Sequence, residues 1–382
     1  MYARTFSYGI ITLGAMLLAG CSHDDMTSEV TPVEPVAISF NCATENDDNT
    51  TRAVIGQKGA MNSEDLYTTG FGTFASVTAD KHPDLMYNQE VAFTFVGDMD
   101  APMKGFWTYH PLKYWPASMT NFCISAYAPY QELPISPDAD DTGIIGISAN
   151  TESPYIDYRR SEKPDSCVDL LWYYGEPSAI PAASENYAAG TLGMKMHHAL
   201  ARLEINVKLA SAPAAGTKVL IDSIALTGQM AKTGRLSLTS QTTEGEGLSK
   251  KYYPVWSNLV FDKDGGGYDT NHTFTIDNTD NNDQSYGIID SPVRYINGLP
   301  YAWQPEGLTT EPQNALSTGD RKTYVYLIPQ PALTLTVLVR YHKMTTSTDD
   351  MGVKTTTAVL TNVATPLRGN TTYSLNLILS GI

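Results

Sequence analysis

Apolar and polar side chains alternate along residues 199–209, near the middle of the chain. The odd positions are apolar, and from Arg202 onward the even positions are polar or charged. A period of two is typical of a β-strand that buries one face, whereas a helix would mix both kinds of side chain on one face. The pattern therefore predicts a strand. Because residues 176–190 before it are rich in Pro, Ala, Ser and Gly, we interpret it as the first strand of a second domain.

Similar signals predict shorter strands on both sides of this stretch. Each combines alternation with β-branched or aromatic residues, and several end at Gly or Pro. The predicted strands are residues 36–41, 71–78, 91–96, 105–109, 111–116, 121–128, 167–173, 217–226, 234–238, 272–276, 323–328, 333–341, 356–361 and 373–379. No helical pattern long enough for a parallel crossover separates them, so the sequence predicts an all-β protein with mostly antiparallel sheets.

The length of the chain bears on its domain organisation. With 382 residues, it exceeds what a single core usually serves, and two β-sandwich domains in tandem are the simplest arrangement of these strands. The predicted division is a signal segment at residues 1–20, a polar tether at 21–35, and domains at 36–190 and 191–382.

The N-terminus has the features of a secretory signal. Arg4 precedes an apolar run at residues 10–18, and Leu-Ala-Gly then comes directly before Cys21. This ending resembles a bacterial lipobox, in which a peptidase cuts before a Cys whose thiol carries a diacylglycerol. Each buried CH₂ of an acyl chain contributes about 0.8 kcal/mol, so a multiply acylated Cys21 would anchor the protein in the outer membrane. The alternative is a signal peptide with a chance Cys at its end. Residues 22–25 (Ser, His, Asp, Asp) resemble a surface-export signal, with ordinary linker polarity as the alternative.

Charge and cysteine content exclude several classes of partner and site. The net charge of −16 argues against nucleic acid and anionic membrane surfaces as partners. If Cys21 is acylated, three of the four cysteines remain as thiols, and an odd number argues against a disulfide framework. We interpret Cys123 and Cys167 as buried free thiols.

Candidate ligand residues are few. His197 and His198 adjoin the strand predicted at residues 199–209, so their side chains point to opposite faces and cannot hold one metal together. We interpret them as a structural pair at the start of that strand. Asp262, Asp264 and Asp269 surround a glycine-rich turn that could bind calcium, but the spacing lacks the full EF-hand pattern, and a solvated turn is the simpler interpretation. No G-x-S-x-G elbow, HExxH motif or Walker loop occurs in the sequence, and nothing selects a pair of carboxylates for glycoside cleavage. An enzyme and a cofactor are therefore not predicted.

Seven stretches, taken in order along the chain, resemble the fimbrillin family of gut and oral Gram-negative bacteria. Each stretch alone is weak, and the ordered set is more specific. They are LAGC at 18–21, TRA at 51–53, FWTYHPLKYWP at 106–116, ISAYAPY at 124–130, HHALARLEINVKL at 197–209, LIPQP at 327–331 and GNTTYSLNLIL at 369–379. The resemblance implies two transthyretin-like β-sandwich domains in an exported lipoprotein that polymerises with other fimbrial subunits into surface fimbriae. Host or bacterial surface ligands would be the targets of adhesion.

The resemblance also implies a mechanism of assembly. In such subunits an Arg-specific protease cuts a loop, the strand before it leaves, and a donor strand from another subunit takes its place. The matching cut here is Arg52–Ala53, and the matching exchanged strand carries Val36, Ile38 and Phe40 on one apolar face. Arg52 also comes after a polar stretch of the kind that proteases reach.

The C-terminus departs from the stalk subunits of this family, which carry a donor extension past the last strand. Only three residues come after the predicted strand at 373–379. The expectation is therefore a tip or accessory subunit. The alternative function is a monomeric surface lipoprotein that binds glycan or host protein. Trp172, Tyr173 and Tyr174 could stack on sugars if exposed, but such aromatics more often belong to a core or a sheet edge.

Overall fold

A computed structural model describes the chain over twelve ranges, and strands dominate them. The ranges are residues 34–45, 61–96, 104–138, 142–161, 167–182, 188–209, 217–261, 272–277, 288–289, 296–297, 325–345 and 350–379. The strands within them are β1 (Ser39–Thr44), β2 (Phe71–Ser76), β3 (Met86–Phe95), β4 (Gly105–Thr108), β5 (Cys123–Ala128), β6 (Gly143–Ile147), β7 (Tyr155–Arg159), β8 (Leu171–Gly175), β9 (Thr191–His198), β10 (Ala201–Leu209), β11 (Thr217–Gly228), β12 (Ala231–Glu244), β13 (Lys251–Phe261), β14 (His272–Asp277), β15 (Ile288–Ile289), β16 (Ile296–Asn297), β17 (Val325–Leu327), β18 (Leu333–Thr345), β19 (Asp350–Ala364) and β20 (Thr371–Leu379). One α-helix, α1 (Ser63–Thr69), and a 3₁₀ turn at Gly247–Ser249 complete the described elements.

The predicted all-β class is confirmed, and pairing between strands is mostly antiparallel. Two pairs are parallel: β1 with β9, and β10 with β20. In both pairs the partners are far apart in the sequence, so no short crossover connection is needed between them.

The first sheet has seven strands in the order β1-β9-β8-β5-β2-β3-β4. Its two ends curve toward each other, so that β1 also lies alongside β4. The side chains enclosed by this sheet form the first core: Ile38, Phe40, Cys42, Met61, Leu66, Phe71, Ala75, Met86, Val91, Trp107, Trp115, Phe122, Ile124, Ala126, Ala128, Leu171, Leu192, Met194 and Met196.

Most of the later strands form two further sheets. One runs β16-β10-β17 with β20 also on β10, and the other runs β14-β11-β18-β19 with β15 also on β11. The second core lies between them and includes Leu203, Leu226, Val325, Leu335, Val337, Leu375 and Leu377. The near-perfect alternation that predicts a strand at residues 333–341 corresponds to β18, whose Leu333, Leu335, Val337 and Val339 are buried.

A fourth sheet, β13-β12-β7-β6, joins strands from both sides of residue 190. The third core under it also draws on both sides, with Ile156, Tyr158 and Trp172 packed near Leu236 and Ile328. The described residues from Val36 onward belong to one compact unit. The division into two domains at residue 190 stays a prediction.

Several strand predictions need correction. The strand predicted at residues 199–209 begins at Ala201, and β9 ends before it, at His198. Residues 111–116 form no strand; only Tyr114 makes an isolated bridge, to Ala37, in a stretch bounded by prolines that lack a backbone donor. The alternation at 71–78 predicts one buried face, but β2 is central and buries both.

Candidate functional site

The strand β1 occupies one edge of the first sheet and fills a slot in its core. Its side chains alternate as the sequence predicts: Ile38, Phe40 and Cys42 are no more than 5% exposed. Val36 packs at the border of the same core. This places the three side chains of the predicted exchanged strand against the first core, with Cys42 as a fourth member that the sequence pattern does not single out.

Backbone pairing holds this segment on two sides. Along Ser39–Thr44 it pairs in parallel with β9, from Ser39 opposite Thr191 to Thr44 opposite Met196. Just before β1, the Ile38 amide donates to the carbonyl of Lys113 at 2.8 Å, and the Trp115 amide donates to the carbonyl of Val36 at 2.9 Å. We name the slot between residues 113–115 and β9, which residues 36–44 fill, the β1 groove.

Aromatic side chains form the floor of the β1 groove. The Phe40 ring packs edge-on against Phe71, with centroids 5.7 Å apart, and lies 5.5 Å from the Tyr109 ring. The Tyr109 hydroxyl donates to the carbonyl of Ile38 at 2.7 Å. The groove thus combines an apolar floor with polar groups that meet the backbone of the strand.

Gly190 sets how closely β1 approaches. Its φ is +83°, and a Cβ there would lie 2.5 Å from Val36 Cγ1 and 2.7 Å from the Ala37 carbonyl oxygen. Its own carbonyl accepts hydrogen bonds from the Ser39 amide at 3.2 Å and from Trp115 Nε1 at 2.8 Å. Only glycine fits this conformation and this contact together.

The C-terminal end of β1 lies beside the start of α1. The Thr44 amide donates to Ser63 Oγ at 3.1 Å. A capping box between Asn62 and Asp65 fixes the first turn of α1. The amide of Met61 donates to the buried carboxylate of Asp169 at 2.9 Å. The connection formed by residues 46–60 therefore starts and ends at neighbouring points.

Glu45, directly after β1, bridges three parts of the chain. Its Oε2 lies 2.5 Å from His197 Nδ1 on β9 and 2.5 Å from Asn370 Nδ2 in the turn before β20. The hydrogen bond from His197 is the main cause that lowers the pKa of Glu45 to about 2, with Asn370 and Lys195 adding to it and burial opposing it. An ionised carboxylate is therefore the resident form at neutral pH.

The two histidines end β9 and do not begin a strand, and each contacts a carboxylate. His197 contacts Glu45, whereas His198 Nδ1 lies 2.7 Å from Asp169 Oδ2 on the other face. Within the described ranges, no group of three His, Cys, Asp or Glu side chains comes together as metal ligands.

The cysteine predictions are confirmed where the structure describes them. Cys123 and Cys167 are buried thiols that form no disulfide, and so is Cys42 on β1. Burial raises the pKa of the Cys42 thiol well above its usual range, which makes it unreactive while β1 is in place.

Trp172 is fully buried in the third core, so it cannot stack on a sugar at the surface. Several predicted residues lie outside the described ones and stay predictions: Cys21, Arg52, Ala53, Asp262, Asp264 and Asp269. No helix among the described residues is long and apolar enough to cross a membrane.

Comparison with known proteins identifies the family. Residues 51–381 match the family model described as fimbrillin-like. The chain therefore belongs to the fimbrillin-like family, which confirms the resemblance drawn from the sequence. Members of this family are structural and adhesive proteins of surface fimbriae, not enzymes.

Two similar proteins have fimbrial names, and both are distant in sequence. Fimbrium subunit Fim1C of Phocaeicola vulgatus is 24% identical over 229 residues, which are 57% of this chain and 55% of that protein. The match thus spans about half the length of the relative. A fimbrial protein from Bacteroides vulgatus, solved by crystallography, is 18% identical, with 90% of this chain and 95% of that chain covered at a TM-score of 0.47.

Proposed function

We propose that this protein is a structural or adhesive subunit of a surface fimbria and that β1 is its exchangeable strand. In this proposal β1 leaves the β1 groove, and a strand of another subunit enters it. One observation carries the proposal: an edge strand next to the predicted cut contributes Ile38, Phe40 and Cys42 to a core that the rest of the sheet encloses.

The energetics explain why an emptied groove would seek a partner. Exposing side chains such as Ile38 and Phe40 costs about 1.5–3 kcal/mol each. Loss of β1 also leaves the edge of β9 and the backbone groups of Lys113 and Trp115 without partners. A donor strand restores both kinds of contact by β-augmentation.

Cleavage at Arg52–Ala53 would permit this exchange. The hydrogen bond between Thr44 and Ser63 brings the two ends of residues 46–60 together. A cut within residues 46–60 therefore does not itself break the contacts at either end. The chain after the cut remains fastened through Met61 to Asp169 and through α1. Only the part before the cut, β1 and the tether, is then free to dissociate.

We also propose that Cys21 carries a lipid that anchors the unprocessed protein in the outer membrane before assembly. The lipobox-like LAGC sequence supports this anchor. Other fimbrial subunits are the proposed partners, and host or bacterial surface molecules the proposed targets.

The last described strand, β20, is a poor candidate donor. It pairs in parallel with β10 along its whole length, and Leu375 and Leu377 are buried in the second core. Withdrawing it would uncover that core, so we propose that β20 stays in its own subunit. The tip or accessory position stays a prediction from the sequence.

The test is the N-terminus of the subunit recovered from sheared surface filaments. We expect it to begin at Ala53, and we expect both Arg52→Ala and Arg52→Lys to block incorporation. Arg52→Lys keeps the charge and removes only the Arg that the protease requires. Lys58→Ala is the matched control, because it removes a positive charge from the same connection and should leave incorporation unchanged.

Thiol labelling and then peptide mapping give a second measurement. Cys42 should resist labelling in the intact protein, as should Cys123 and Cys167, because all three are buried. After cleavage and assembly Cys42 should become reactive in the released N-terminal fragment, whereas Cys123 and Cys167 should stay protected in the filament subunit. Filament subunits that begin at Cys21, or protein that never enters filaments, would contradict the proposal and favour the monomeric binding protein instead.

A further inference from the structure

The carboxylate at Glu45 marks one position along the β1 groove. The Glu45 amide donates to the carbonyl of Met196 at 2.7 Å, which continues the ladder with β9 by one residue. Its side chain then reaches His197 and Asn370, neither of which belongs to β1. His197 and Asn370 thus lie at the end of the β1 groove.

His197 and Asn370 are held in place by parts of the protein other than β1. The centroid of the His197 ring lies 5.2 Å from that of Tyr252 and 5.8 Å from that of Trp172. The backbone N–H of Asn370 donates to the carbonyl of Leu200 at 3.1 Å, and φ at Asn370 is +54°. They would therefore stay in position when β1 leaves and would meet whichever strand replaces it.

Alternation alone does not fix the register of an incoming strand. A slip by one residue turns the polar face into the core and is strongly disfavoured. A slip by two residues returns apolar side chains to the core, because the period of a strand is two. Such a slip moves every side chain by about 7 Å along the groove, so a carboxylate would no longer reach His197.

A second interaction must therefore fix the register of the strand, and the contacts of the Glu45 carboxylate with His197 and Asn370 can do so. A buried or half-buried hydrogen bond to a charged group is stronger than a neutral one and costly to leave unmade. His197 is 7% exposed, and a strand that covers it without offering an acceptor would leave its ring nitrogen without a partner.

We propose that His197 and Asn370 read the register of the strand in the β1 groove, and that the donor strand of the partner subunit carries an acidic side chain five residues after the side chain that replaces Phe40. The donor strand thus carries large apolar side chains at the positions of Ile38 and Phe40 and a small one at the position of Cys42. It carries an acidic side chain at the position of Glu45. This inference rests on the proposed strand exchange.

Peptide competition for the β1 groove of the cleaved full-length protein tests the register proposal. The chain is cut by an Arg-specific protease, and synthetic peptides are added that carry residues 34–45 or variants of them. The measured quantities are release of the native N-terminal fragment and the affinity of each peptide. The native peptide should displace the fragment, and a peptide with Glu45→Gln should bind about tenfold or more weakly. A peptide that keeps the apolar alternation but moves the acid by two residues should lose affinity to the same degree.

Variants of the body separate register reading from general strand affinity. Asn370→Gly removes the side chain and tolerates the positive φ, and His197→Gln removes the ring. In either variant the Glu and Gln peptides should bind more nearly alike than they do in the wild type. A peptide with Phe40→Ala is the control: it should weaken binding equally in wild type and variants.

Each outcome has a distinct meaning. Equal binding of the native, Gln and slipped peptides to the wild-type protein overturns the register proposal and leaves strand exchange standing. Failure of every peptide to enter the groove, with the clipped fragment retained throughout, overturns strand exchange and the register proposal with it. If one body variant fails to fold, the other one and the peptide series still decide.

Discussion

Gly190 combines a backbone conformation and a contact that other residues do not tolerate. We expect Gly190→Ala to lower the free energy of unfolding by roughly 1–3 kcal/mol. The alanine would have to keep a positive φ, and its Cβ would clash with Val36 and with the Ala37 carbonyl oxygen. Urea denaturation measures this change. The variant should also make Cys42 more reactive toward thiol reagents, since the clash pushes the start of β1 out of the groove.

The matched control is Gly193→Ala, three residues further along. A Cβ at Gly193 meets nothing within 4 Å. This variant should be neutral or slightly stabilising, because it reduces the entropy of the unfolded chain without straining the folded one. Equal losses of stability in the two variants would argue that Gly190 has no special role in seating β1.

Such residues cannot be found from the local sequence pattern. Glu45 opens a polar stretch whose pattern indicates a plain loop, and Gly190 ends a loop rich in small residues. The partner of Glu45 on β9 is 152 residues away in the chain, and its partner before β20 is 325 residues away. Alternation identifies Val36, Ile38 and Phe40 because burial of a strand face is a local property.

The docking of β1 should weaken in acid because of Glu45. A carboxyl whose pKa is lower in the folded than in the unfolded protein stabilises the fold above its ordinary pKa, and this stabilisation is lost as pH falls. For Glu45 the loss should run from about pH 4.5 down to about pH 2. We expect the stability difference between the wild type and Glu45→Gln, measured by urea unfolding, to shrink across that window.

An exposed carboxylate on the same sheet serves as the control. Glu90 on β3 is exposed, so Glu90→Gln removes the same charge without removing a contact of β1. Its stability difference from the wild type should change little across the window. A Glu45→Gln difference that stays constant from pH 7 to pH 2 would show that the contacts with His197 and Asn370 do not depend on the charge.

Element type is largely predictable from the sequence, and element pairing is not. The strands β18 and β20 follow from alternation, because each buries one face against a core. In β10 the alternation also predicts a strand, but Arg202 on the predicted polar face is buried as well. The pattern misses others: β7 is short, and β13 contains Pro254 within its run. The parallel partners of β1 and β20 depend on the closure of whole sheets, which no local pattern encodes.

The fourth sheet bears on how the molecule unfolds. Along β7 and β12, five residues of each strand face each other, and Arg235 donates two hydrogen bonds to Asp157 at 2.8 and 2.9 Å. Ile156 on β7 and Leu236 on β12 are fully buried in the third core. Unfolding of residues 36–190 alone would therefore expose a side of β12 and part of this core.

This coupling predicts one cooperative transition for the protein on heating, even if two domains are present as the sequence suggests. Calorimetry should give a van't Hoff enthalpy close to the calorimetric one. Leu236→Ala should lower the midpoint of that single transition, since it removes about 2–5 kcal/mol from a core that both halves of the chain share. Independent domains would instead give two transitions, of which Leu236→Ala shifts only one. The distinction matters for assembly, because a strand that enters the β1 groove of a cooperative subunit stabilises the whole subunit, whereas in independent domains it would stabilise only the first.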